Sequence, residues 1–142
     1  MKVLLDENVP IQTLDLLSRV LRTHEIHHVD RIKWKGKKDT FLLPDAAAAG
    51  YDLLVTKDSN QLDDPVECRL IRRSRMHHVR FRQGPGIRGL SAAVASVVVA
   101  MPQVLAELET AGGQRLVRIE GINPVKRRHT TVDPGIDPPP YW

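Results

Sequence analysis

The stretch Val3-Leu4-Leu5-Asp6-Glu7-Asn8-Val9-Pro10 decides the fold. An apolar run closed by two carboxylates and a carboxamide reads as a short buried strand over Val3 to Glu7. Pro10 then stands where a helix starts, since its missing N–H would lack an intrahelical partner there anyway. Ile11, Leu14, Leu17, Val20 and Leu21 follow at helical spacing, and Leu16 widens the stripe. A strand handing over to a helix is the first half of a β-α unit. In open α/β sheets the carboxyl mouth of the strands is where ligands and chemistry sit, and here that mouth carries acid.

Further along, His27 to Val29 forms a candidate second strand. Asp39 is placed to N-cap a helix through Phe41 and Leu42 to Ala49, which Gly50 closes. Pro44 predicts an irregular first turn. Leu53 to Thr56 is a buried strand ending in Lys57-Asp58. Pro65 to Arg75 reads as a helix with Val66, Leu70 and Ile71 inward, and His77 to Arg82 alternates as a strand. Leu90 to Thr110 is a long helix perturbed at Pro102. Gln114 to Glu120 is the last strand, with Leu116, Val117 and Ile119 as its apolar residues. This β-α-β-α-β-α-β-α-β order predicts an α/β fold, with a five-stranded, mostly parallel sheet, helices on both faces and right-handed crossovers. Residues 1–122 make one domain. From residue 123 polar residues and Pro134, Pro138, Pro139 and Pro140 predict an extended or disordered tail.

A chain of 142 residues, 42% hydrophobic, can bury one substantial core. Aromatics are only 4%, so the core is aliphatic and stacking of bases on aromatic platforms is disfavoured. Cys68 is the only cysteine, which excludes an internal disulfide and a cysteine-rich zinc site and fits a reducing cytoplasm. The amino-terminal strand contains acids and does not read as a signal peptide. The apolar stretch Leu90 to Leu108 is interrupted by Ser91, Ser96, Pro102, Gln103 and Glu107, as suits a core helix rather than a membrane span. The net charge is +4. Its cations cluster around Arg31 to Lys38, Arg69 to Arg88 and Lys126 to Arg128, as solvated faces or as attractors for a polyanion.

Asp6 and Asp58 end two strands of one parallel sheet. If those strands are neighbours, the carboxylates meet over one edge, and Asp39 opens a helix at the same rim. Singly, each acid is turn or capping chemistry. Together they suit a hard divalent cation, which takes oxygen ligands and can activate water against a phosphodiester.

Leu5-Asp6-Glu7-Asn8-Val9-Pro10 resembles the opening of PIN-like domains, where Asp-x-Asn follows the first strand. Asp39-Thr40-Phe41-Leu42-Leu43-Pro44, Gly50 and Leu54-Val55-Thr56-Lys57-Asp58 are similar to the continuation of a compact PIN-like subgroup that includes toxins of the VapC kind. The resemblance spans roughly Met1 to Gly121, its later part by element order. It implies a ribonuclease dependent on Mg²⁺ or Mn²⁺, the toxin of a type II toxin–antitoxin pair, with RNA as substrate, a cognate antitoxin as partner and a homodimer as assembly. Asp6, Asp39 and Asp58 match the acids that hold metal and carry catalysis. Asn8 and Thr56 match supporting polar positions. A fourth acidic position stays open between Asn60 and Asp63. Glu7 faces away from Asp6 and is expected to pair with a basic residue. Lys33, Lys35, Lys37 and Lys38 flank Asp39 and, with Arg80, Arg82 and Arg88, are the expected RNA contacts.

Other signals are weaker. Gly84-Pro85-Gly86-Ile87-Arg88-Gly89 imitates a dinucleotide fingerprint. The preceding strand is too charged, however, and Glu120 lies beyond the usual ~20-residue spacing. His24, His27, His28, His77 and His78 lack zinc-site spacing and read as surface residues. Two other functions fit the same element order. One is a PIN-like binding module acting through a protein partner. The other is a phosphoacceptor receiver domain, for which Glu120-Gly121 supplies no lysine after the last strand.

Overall fold

The computed structural model describes residues 1–57, 60–129, 131–134, 136, 138, 140 and 141. Five strands form one sheet: β1 (Lys2–Leu5), β2 (Glu25–His28), β3 (Leu53–Thr56), β4 (His77–Arg80) and β5 (Leu116–Arg118). Their order is β2-β1-β3-β4-β5 and every pairing is parallel. Four helices connect them: α1 (Gln12–Val20), α2 (Asp39–Ala48), α3 (Pro65–Ser74) and α4 (Gly86–Glu109). The α/β expectation holds, with a sheet that is parallel throughout.

Alternation along the strands divides the core. Val3 and Leu5 of β1, Leu53 and Val55 of β3 and Val79 of β4 pack with Leu17 of α1 and with Val97, Met101 and Leu105 of α4. Leu4 and Leu54 point to the other face, against Leu42, Leu43 and Ala46 of α2 and Ile71 of α3. Burial on both faces explains why β1 and β3 read as unbroken apolar runs rather than alternating ones. Helix α4 is long and apolar enough to span a bilayer, and its Ala93, Val97, Met101, Leu105 and Leu108 are buried within the protein.

The placement of the helices has a topological consequence. The units β2-α2-β3 and β3-α3-β4 advance across the sheet with their helices on one face. The unit β1-α1-β2 steps backward with its helix on the other face, which is the same hand. The unit β4-α4-β5 advances, yet α4 lies on the α1 face. Its hand is therefore opposite to that of the other three, which departs from the expectation of uniformly right-handed crossovers.

Several boundaries shift for local reasons. β2 starts at Glu25, because the Glu25 N–H donates to Met1 O at 3.1 Å and extends the ladder beside β1. Lys38, not Asp39, occupies the N-cap of α2, so the Asp39 side chain is not spent on capping. On α3 only Ile71 is fully buried and Val66 is 50% exposed. α4 begins four residues before Leu90, at Gly86, and runs through Pro102. The backbones approach closely at this start: a Cβ on Gly89 would lie 2.0 Å from the Gly84 carbonyl oxygen. The glycine pattern that imitated a nucleotide fingerprint is thus a packing device at a strand-to-helix turn. His28 and His78 are buried, against the surface reading, and each is hydrogen bonded within the protein.

Candidate active site at the carboxyl edge

Asp6 follows the last residue of β1, and its N–H donates to Val55 O at 2.9 Å, so the ladder with β3 continues through it. Its side chain lies on the α2/α3 face of the sheet, as Leu4 does, and the residue is only 6% exposed. One carboxylate oxygen accepts from the Glu7 N–H at 2.8 Å and the other from the Thr56 hydroxyl at 2.9 Å. Burial pushes the Asp6 carboxyl above the usual carboxylate range. Those two hydrogen bonds pull it back, while the negative charges of Asp39 and Glu7 add to the rise. Asp6 and Asp39 are thus close enough to interact electrostatically, although they come from segments 33 residues apart (39 − 6).

Thr56 ends β3 beside Asp6 and is fully buried. Its hydroxyl hydrogen goes to Asp6, and its oxygen accepts from the Asn8 amide at 3.2 Å. Asn8 in turn accepts from the Lys57 N–H at 2.8 Å. The three residues form a bridge that ties the turn after β1 to the end of β3 and fixes the Asp6 carboxylate. His28 secures the same turn from β2. Its Nε2 donates to Val9 O at 2.8 Å, and its Nδ1 accepts from the Asp30 N–H at 3.2 Å.

Asp39 stands in the first turn of α2. Its carboxylate accepts from the Gln61 amide at 2.9 Å. Gln61 is buried, and its carbonyl accepts from His78 Nε2 at 3.1 Å, which assigns that nitrogen the ring proton. The chain Asp39–Gln61–His78 therefore anchors the acid to β4. Gln61 was absent from the candidates read in the sequence. A single glutamine in a polar turn carries no local signal, and only the fold brings it against His78.

The other expected residues divide. Asp58 lies outside the described residues. Asn60 is exposed, and its carbonyl accepts from the N–H groups of Asp63 and Asp64. Asp63 is exposed as well. The Glu7 carboxylate meets the backbone of the basic loop rather than a cation, its Oε2 accepting from the Gly36 N–H at 2.8 Å. In that loop Lys37 pairs with Asp45 and lies over the Trp34 ring, so its charge is largely spoken for. Lys35 reaches Asp30 at 3.7 Å, and Lys33 is exposed with a left-handed φ of 62°. Lys38 and Asp39 line an open groove of about 540 Å³ together with Glu7, Thr40 and Glu67. Arg80 pairs in register with Thr56 at this edge, Arg82 follows it, and Arg88 lies in the first turn of α4.

Among the described residues, no group of three Asp, Glu, His or Cys is gathered at metal-binding distance. No family model, curated protein or solved structure matches the chain.

Proposed function

We propose that the chain is a PIN-like, metal-dependent endoribonuclease and the toxin of a type II toxin–antitoxin pair, acting on RNA in the cytoplasm and held in check by an antitoxin. The observation that carries this reading is the buried Asp6 carboxylate at the mouth of β1, with Asp39 near enough to raise its pKa. A carboxylate destabilised by burial and a neighbouring like charge is relieved by a cation. Each Asp6 oxygen accepts one hydrogen bond from the protein, which leaves lone-pair capacity for a metal. Mg²⁺ or Mn²⁺ needs only one or two carboxylates when waters and substrate phosphate complete its shell, so Asp6 and Asp39 fit, and Asp58 joins them by the sequence resemblance. Such an ion, when bound, would activate water and neutralise charge on the phosphodiester.

The remaining work falls to the protein. Thr56 and Asn8 orient Asp6. Gln61 fixes Asp39. Lys38 and Arg80 flank the acids with positive charge suited to an RNA backbone. The test is cleavage of a fluorogenic RNA with Mn²⁺. Asp6→Asn and Asp39→Asn are each expected to lose more than ~100-fold in rate, a loss exceeding that for outer partners of metal ligands. Expression of either variant is expected to relieve growth arrest. Cleavage at the wild-type rate by both variants would overturn the assignment.

The open fourth acidic position, for which Asn60 and Asp63 both stand exposed, favours one second reading, a binding module of the same shape. Calorimetry separates the two, since the module takes up no Mn²⁺.

A further inference from the structure

We infer that the groove between α4 and the segment following β5 is a second RNA grip, which holds the strand's phosphates apart from the acidic edge. This inference rests on the nuclease reading only for the choice of RNA as the polyanion. The segment is tied to α4 at its start, where the Ile122 N–H donates to Ser96 Oγ at 2.9 Å, and it turns at Asn123, whose Oδ1 accepts from the Val125 N–H at 3.0 Å. Between this segment and the first half of α4 lies a groove of about 600 Å³. Arg88 stands on the helix side, and Lys126, Arg127 and Arg128 stand on the other. Among the described residues no acid lines it, so its positive charge is not cancelled locally. Ala92 and Ala95 form a floor of small side chains that leaves room for a backbone to approach.

The groove also lies at the same end of the sheet as the site. α4 begins just past the carboxyl end of β4, and the segment leaves the carboxyl end of β5, so both open at the edge that carries Asp6. Arg80 and Arg118, the latter ion-paired with Glu120 at 3.1 Å, are register partners on β4 and β5 and line the surface between, with Arg82 beside them. Three strand spacings separate β1 from β5 in the sheet, or about 14 Å, a span one short single strand can bridge. Phosphate contacts of this kind position a strand without reading its sequence.

The experiment is fluorescence anisotropy of a labelled oligouridylate in EDTA, across a salt series, with the full chain. Lys126→Ala/Arg127→Ala/Arg128→Ala is expected to bind at least ~10-fold more weakly, with the log–log salt slope reduced by about 2, since single strands lose ~0.7 per phosphate contact. The control Arg19→Ala/Arg22→Ala, on and beside α1, is expected to keep the slope. All five side chains are exposed, and circular dichroism checks that both variants fold. An unchanged slope in the triple variant overturns the inference. So does tighter, triple-sensitive binding of polyglutamate than of RNA, which would assign the groove to an acidic protein. EDTA separates this outcome from the nuclease reading: if Asp6→Asn still cleaves, the binding result stands, and if cleavage depends on Asp6 while the slope is unchanged, only the groove fails.

Discussion

Asp6 keeps its place at the rim against the cost of burying a carboxylate, because the Glu7 N–H and the Thr56 hydroxyl both donate to it. The sign of its pKa shift has a measurable consequence. A carboxyl raised in the folded state contributes stability below the ordinary carboxylate pKa, and this contribution is lost as pH rises through the raised value. At neutral pH without metal, Asp6 therefore opposes folding. The stability of Asp6→Asn relative to the wild-type, metal-free protein is therefore expected to improve as pH rises from 4 to 7.5, since the substitution removes the group that loses stability over that range. Urea denaturation in EDTA at the two pH values measures this, and a stability difference that does not change between them would contradict it. Thr56→Val removes the donor but keeps the shape, so Asp6 should titrate higher still. On the nuclease reading, cleavage should fall ~10- to 100-fold, the usual loss for outer partners of metal ligands. The sequence made Asp6 legible because an acid ending an apolar run has few other places to go. Gln61 and His78 were not legible, because their roles exist only once β3 and β4 pair and the turn after β3 folds back over the sheet.

At the scale of elements, the start of α4 turns on two glycines with different duties. Gly89 is needed for space, since a Cβ would meet Gly84 backbone atoms at 2.0 to 2.8 Å. Gly86 is needed for conformation, with φ at +68° and open space around it. Gly89→Ala is therefore expected to cost more than ~3 kcal/mol, at the severe end for point changes. Gly86→Ala should cost about 1–2 kcal/mol, the penalty of a left-handed backbone. Thermal unfolding of the two variants ranks them, and the reverse order would refute this division. The sequence marked the place as a turn, but not the four extra residues of helix, which lie within the glycine-rich stretch itself. β1 and β3 were clear from their apolar runs. β5 is different: it is three residues long, paired only with β4, and Leu116 is 58% exposed. Hydrogen exchange should reveal the contrast, with β5 amides exchanging well before those of β1 and β3.

For the molecule as a whole, the strand order β2-β1-β3-β4-β5 is the one that flavodoxin-like and receiver domains also use. Element order alone could not separate these readings. The reversed hand of β4-α4-β5 follows from which face α4 covers, and apolar periodicity names a buried stripe without naming the sheet face it meets. That reversal also bears on synthesis. As the chain leaves the ribosome, β1 to β4 and α1 to α3 emerge before α4, and α2 and α3 can cover their face of the sheet at once. The opposite face, with Leu5, Val55 and Val79, has only α1 until Ala93 to Leu108 arrive. A nascent chain from which only residues 1–85 have emerged thus presents half a core to solvent, and that face stays open to misassociation until the last helix swings beneath it.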